Sequence, residues 1–145
     1  MKPTSRHDLA LLALRLMAGS VFVFHGSQKL FGLFGGYGIA GTAGWMESIG
    51  IPFPTASVVL AGSAELLGGL AFLTGIYARS LSLPLVATML VAALTAHSGF
   101  DVTQGGMEYP LVMATIALAV GLAGPGRLSV GAGRAELPLL RPAVA

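Results

Sequence analysis

Apolar residues fill four stretches of the chain, and glycine-rich or polar segments separate them. The first stretch runs from about Leu9 to Phe34. Its core, Leu9 to Phe24, is broken only by Arg15, and Gly35-Gly36 ends it, with Gly38 and Gly41 beyond. The second, about Thr55 to Tyr77, is interrupted near its middle by Glu65. A very short turn at Arg79 makes the second and third helices antiparallel neighbours. The third, about Ser80 to His97, is apolar until Thr95 and His97, with Pro84 in what reads as its first turn. The fourth, about Tyr109 to Ala123, is the shortest. Its start reaches back to Gly106, Pro110 suits its first turn, and GPGR at 124–127 stops it. Spans of roughly 15–25 residues fit a hydrocarbon core about 30 Å thick. A soluble bundle would need a polar outer face, which the third stretch lacks. The pattern predicts an all-α fold: a four-transmembrane-helix antiparallel bundle.

Residues 35–54 connect the first two helices. Within them Ile39, Ala43, Met46 and Ile49 recur at helical spacing, with Trp45 and Glu47 nearby. This reads as a short helix, lying in the membrane interface or packed on the bundle; both placements stand. IPFP at 51–54 is a rigid lead-in to the second span.

Composition agrees with a membrane protein. Hydrophobic residues make up 54% of the chain and charged residues 10%, against about a quarter charged in a soluble domain. The 21 glycines lie scattered through apolar runs, where small residues let helices approach closely. A net charge of +2 is too small to point to nucleic acid. The absence of cysteine excludes disulfides, thiol redox catalysis, iron–sulfur clusters and thiolate metal sites on this chain. No cleavable signal peptide is expected, because the first apolar run is too long and carries Arg15.

In a four-span arrangement Lys2, Arg6, Arg79, Arg127, Arg134 and Arg141 fall on one side, and Glu47, Asp101 and Glu108 on the other. The positive-inside bias then puts both termini in the cytoplasm, with the protein multi-pass in the inner (plasma) membrane. Counting helix rise from the span ends places Arg15 about 9 Å above the inner end of the first helix and Glu65 about 15 Å below the outer start of the second. The two depths nearly coincide, so Arg15 and Glu65 are expected to form an ion pair inside the bundle.

The stretch Val21 to Gly32, VFVFHGSQKLFG, places His25, Gln28 and Lys29 on one helical face at the end of a hydrophobic span. Polar groups are expensive in hydrocarbon, so such a stripe suggests a use. His25, Gln28, Lys29, His97 and Glu108 all fall in the outer half, with Tyr109 and Trp45 near the same level. Taken singly, Lys29 reads as a snorkelling lysine, His97 as a helix-end cap and His25 as a buried histidine bonded to a backbone carbonyl. Together they describe a polar pocket opening to the outer face, closed by the 35–54 connector. Two histidines with a nearby carboxylate suit a quinone head group, which needs donors to its carbonyls and a proton path. His25, Glu65 and His97 are the candidate catalytic residues, and Gln28, Lys29, Glu108 and Tyr109 the candidate quinone-binding ones. Axial haem ligation by the histidines ranks lower, since both lie near a helix end and no second pair exists. A metal site of the histidines with Glu108 is weaker still. The same groups also mark proton-coupled carriers, for which so few helices would need an oligomer. No Walker motif, dinucleotide fingerprint or hydrolase elbow is present.

HGSQKLFG at 25–32, IGIPFP at 49–54, AELLGG at 64–69, GMEYPL at 106–111 and GPGRLS at 124–129, with Arg15 early in the first helix, resemble the DoxX family of small four-helix membrane proteins. The resemblance covers about Leu9 to Ser129. It implies one membrane domain, 1–129, and a tail, 130–145; the Gly/Pro/Arg-rich composition from Leu128 onward reads as loosely ordered. It further implies a bacterial or archaeal inner-membrane protein linked to quinone-coupled sulfur or oxidative-stress chemistry. A subunit of a quinone-dependent oxidoreductase, and a non-catalytic anchor or assembly subunit that docks a redox protein, are both compatible with it.

Overall fold

Ser5 opens the first helix. Its hydroxyl accepts the Asp8 N–H at 3.2 Å, while the Asp8 carboxylate accepts the Ser5 N–H at 3.1 Å, a reciprocal capping box. The structure, a computed structural model, describes residues 5–130. Helix α1 spans Arg6–Phe31 and so begins almost a turn before Leu9. Gly32 ends it in the left-handed region (φ 68°), its N–H bonded to the Gln28 carbonyl. The stop is therefore Gly32 rather than Gly35-Gly36, and Leu33–Gly35 form a separate 3-10 turn.

Four more helices follow: α2 (Gly38–Ser48), α3 (Pro54–Thr74), α4 (Ala78–Thr95) and α5 (Glu108–Ala123). The described residues are all-helical, with no strand. Helices α1, α3 and α4 are long and apolar enough to cross a membrane, and α5, with 16 residues, is a shorter apolar helix. The short helix expected in the 35–54 connector is α2. Because α4 begins at Ala78, Pro84 lies in its second turn, inside the helix, and not in the first.

The helices pack as two tight pairs, α1 on α3 and α4 on α5, which meet mainly between α3 and α4. Glycine makes the first pair tight. Gly19 and Gly26 on α1 are seven residues apart, as are Gly62 and Gly69 on α3. A Cβ on Gly26 would lie 2.6 Å from the Leu66 amide nitrogen and 2.9 Å from the Gly62 oxygen; one on Gly69 would lie 2.7 Å from the Val23 nitrogen. Backbone thus touches backbone along an antiparallel seam. Phe22 and Phe72 fill the centre edge to face, with ring centroids 6.1 Å apart. Between α3 and α4, the Leu85 side chain sits over Gly68.

This register separates Arg15 from Glu65, so the expected pair does not form. Arg15 is fully buried. It donates from Nη1 to the Phe72 carbonyl at 2.8 Å and from Nη2 to the Leu128 carbonyl at 2.6 Å. Phe72 lies in the last turn of α3, where carbonyls lack helical partners and the helix dipole is negative. Arg15 is thus a cap for α3 from a neighbouring helix. The depth estimate failed because α1 starts early and its first turns overhang the end of α3. The overhang is occupied by residues 124–130: Arg127 N–H donates to Asp8 Oδ1 at 3.0 Å and Val130 N–H to the Thr74 carbonyl at 2.9 Å. Leu128 to Val130 are therefore pinned to the bundle, contrary to the loose tail expected from Leu128. The remainder of that tail lies outside the described residues.

Candidate functional site

The glycine seam carries α3 close enough to α1 for Lys29 to reach Glu65. Lys29 Nζ lies 2.6 and 2.9 Å from the two carboxylate oxygens. Glu65 is 2% exposed and Lys29 24%, so the carboxylate is sealed and the ammonium sits at its edge. A carboxylate at that depth needs such a partner, since an unpaired buried charge is strongly unfavourable.

The pair forms one wall of a cavity of about 630 Å³. The cavity lies between α3 and α4, from about Pro84 to the end of the bundle where α1 and α4 finish and α3 and α5 begin. Its walls are mainly apolar, and its polar groups converge from separate helices. His25 lines it one turn before Lys29. The Tyr109 ring, from α5, stands 6.4 Å from the His25 ring at 61°. His97 closes the α4 side, and its Nδ1 lies 2.9 Å from the Ala92 carbonyl oxygen. That oxygen can only accept, so Nδ1 carries the proton and a neutral ring keeps an accepting lone pair on Nε2. Trp45 and Met46 of α2, with Ile51 after it, cover the loop end of the cavity.

Five of the expected residues, His25, Lys29, Glu65, His97 and Tyr109, therefore share one cavity. Gln28 and Glu108 do not line it. Gln28 turns to the connector and donates from Nε2 to the Phe34 carbonyl at 3.2 Å. Glu108 accepts the Val102 N–H at 3.1 Å and closes the 98–108 loop. The arrangement of two histidines with Glu108 around a metal is thus not formed, and the described residues contain no other cluster of three His, Asp or Glu suited to an ion. Sequence reasoning missed the small residues of the cavity wall, Ala61 and Ala64 on α3 and Ala87 and Thr88 on α4. Ala64 follows Ala61 by three residues and Ala92 follows Thr88 by four, and that spacing was the available signal.

The stripe on α1, the glycine seam and the carboxylate on α3 all lie within residues 10–98, which match the family model of DoxX. The chain belongs to the DoxX family. The match spans α1 to α4, including the HGSQKLFG, IGIPFP and AELLGG segments, while GMEYPL and GPGRLS fall beyond it. With its long apolar helices, this DoxX chain is a membrane protein. Curated proteins and solved structures give no match.

Proposed function

We propose that this DoxX protein binds a quinone head group in the cavity and serves as a membrane subunit of a quinone-linked redox system. The observation that supports this most is the convergence of His25, Lys29–Glu65, His97 and Tyr109 on one largely apolar space of about 630 Å³. That volume is in the usual range for a small-molecule site of about 300–1,000 Å³, and few polar groups in apolar walls are the usual composition. A quinone offers two carbonyl acceptors; the Lys29 ammonium and the Tyr109 hydroxyl are donors at the right end. A quinol offers two hydroxyls, for which the free His97 Nε2 is an acceptor. Glu65, tied to Lys29, would accept a proton if a ligand drew the ammonium away, which gives the site a proton route.

In this reading four helices cross the inner membrane, with α5 the shortest crossing and both termini cytoplasmic. The cavity then lies in the outer half, with α2 at the interface. The test is quinone binding to purified protein, comparing wild type with His25→Ala and Glu65→Gln. Weaker binding in both is expected; unchanged binding in both removes the site. A visible spectrum separates the haem reading, because a Soret band in the purified protein would replace quinone with haem.

A second reading has its own support. Glu65 is fully engaged by Lys29, and Arg15 by two carbonyls, so the buried charges already have structural uses. A non-catalytic anchor or assembly subunit for a redox protein would need no more. Under it the same substitutions lower yield and stability while partner activity per folded molecule is unchanged.

A further inference from the structure

Two residues of the cavity wall are also among the most solvent-open side chains of the bundle. Leu60 on α3 is 72% exposed and Val91 on α4 is 55% exposed, yet both line the cavity. A side chain can do both only at a mouth. These two lie on α3 and α4, which places the mouth on the flank of the bundle, between two helices long and apolar enough to cross a membrane. Between them the wall is made of small groups, Ala61 and Ala64 facing Ala87 and Thr88. The lining on α4 extends from Thr95 to Pro84, about 16 Å at helical rise. The loop end is different. There the rings of Trp45 and Tyr109, 45% and 42% exposed, rim the cavity above the buried Met46. The cavity is therefore walled by large side chains towards the loops and by small ones towards the flank.

We infer that the cavity is loaded sideways from the bilayer, and that its ligand is a prenyl-tailed lipid whose tail leaves through the α3–α4 slot while its head group meets Lys29 and His25. This rests on the head-group reading and narrows it to a membrane-borne ligand. The chemistry of the slot suits that occupant. Its walls are mainly apolar, with hydroxyls only from Ser57, Thr88 and Thr95, and it is continuous with the polar end of the cavity.

The experiment uses the full chain in lipid nanodiscs and two probes: a dimethoxy-methyl-benzoquinone ring without a tail, and the same ring with a polyprenyl tail. Ala87→Trp fills the slot from an exposed position, and Ala61→Leu fills it from the opposite helix should the tryptophan variant fail to fold. Either is expected to weaken the tailed probe about tenfold or more while leaving the tailless ring within about twofold of wild type. Equal loss of both probes, or loss of neither, overturns the slot and leaves the head-group site standing. Failure of wild type to bind either probe overturns both readings together.

Discussion

Lys29 and Glu65 hold α1 and α3 together at the depth of the cavity, with Nζ 2.6 Å from one carboxylate oxygen and 2.9 Å from the other. The contact exists because four glycines bring the two backbones together just below it. Removing the lysine leaves a carboxylate that is 2% exposed without a counter-charge. Breaking a fully buried pair costs roughly 3–5 kcal/mol. Lys29 keeps partial access to solvent, which screens the pair and lowers the expectation to about 2 kcal/mol. Lys29→Met should destabilise by that amount, and Lys29→Met with Glu65→Leu should recover most of it. Thermal unfolding of the single and double variants in detergent measures the coupling.

The glycine seam gives a prediction with two signs. A methyl at Gly26 or Gly69 meets backbone atoms of the opposite helix at 2.6–2.7 Å, and backbone cannot turn aside. Gly26→Ala and Gly69→Ala should each cost about 1–3 kcal/mol, as overpacking does, and should weaken the Lys29–Glu65 contact. Gly44, inside α2, has nothing within 4 Å of its would-be Cβ. Gly44→Ala should therefore stabilise by about 0.5–1 kcal/mol through helix propensity alone. Melting temperatures of the three variants check both signs.

Arg15 joins the end of α3 to the 124–130 segment. Arg15→Leu strands the Phe72 and Leu128 carbonyls and should cost on the order of 3 kcal/mol, since each bond comes from a charged donor. Arg15→Lys, which lacks the two-pronged donor, should rescue only part. Hydrogen exchange should accelerate first at the Arg127 and Val130 amides, whose acceptors lie on the elements Arg15 holds in place. Uniform acceleration across the bundle would contradict this role.

The 98–108 loop has a pH signature. The Thr103 hydroxyl, then its N–H, donates to Asp101 and holds its carboxyl below the ordinary 3.8. A depressed carboxyl adds stability above its ordinary value and loses it as pH falls through the folded value. The Thr103 amide should therefore be protected near neutral pH and exchange faster, after correction for intrinsic rates, once pH has fallen below the ordinary carboxyl value. Asp101→Asn should remove the pH dependence.

Much of this arrangement was legible in the residues. The glycines scattered through the apolar runs announced close helix packing, and on α3 Gly62 and Gly69 flank Glu65 on the face that α1 meets. His25, Lys29, His97 and Tyr109 were assigned to one level because they end or begin spans, and ends are well marked by glycine and loop chemistry. The pairing of Arg15 with Glu65 was misread for a definite reason. Depth was counted from helix ends, whereas register is set by contacts, here Gly19 with Gly69 and Gly26 with Gly62. The seven-residue repeat on both helices carried that register. Gln28 shows the limit of the shared-face argument: three residues from His25, it sits on the edge of the stripe, and the tight packing of Gly36 against it turns it to the connector. Glu108 was placed by level alone, and level does not say whether a carboxylate faces a cavity or its own loop.

Trp45 is the only tryptophan in the chain and lines the cavity, so its fluorescence reports directly on an occupant. Titrating the protein in nanodiscs with a tailed benzoquinone should give saturable quenching of Trp45 in wild type. His25→Ala and Glu65→Gln should each shift the midpoint about tenfold or more to higher concentration. Quenching that rises without saturation, or that is the same in wild type and both variants, would contradict a quinone site in this cavity.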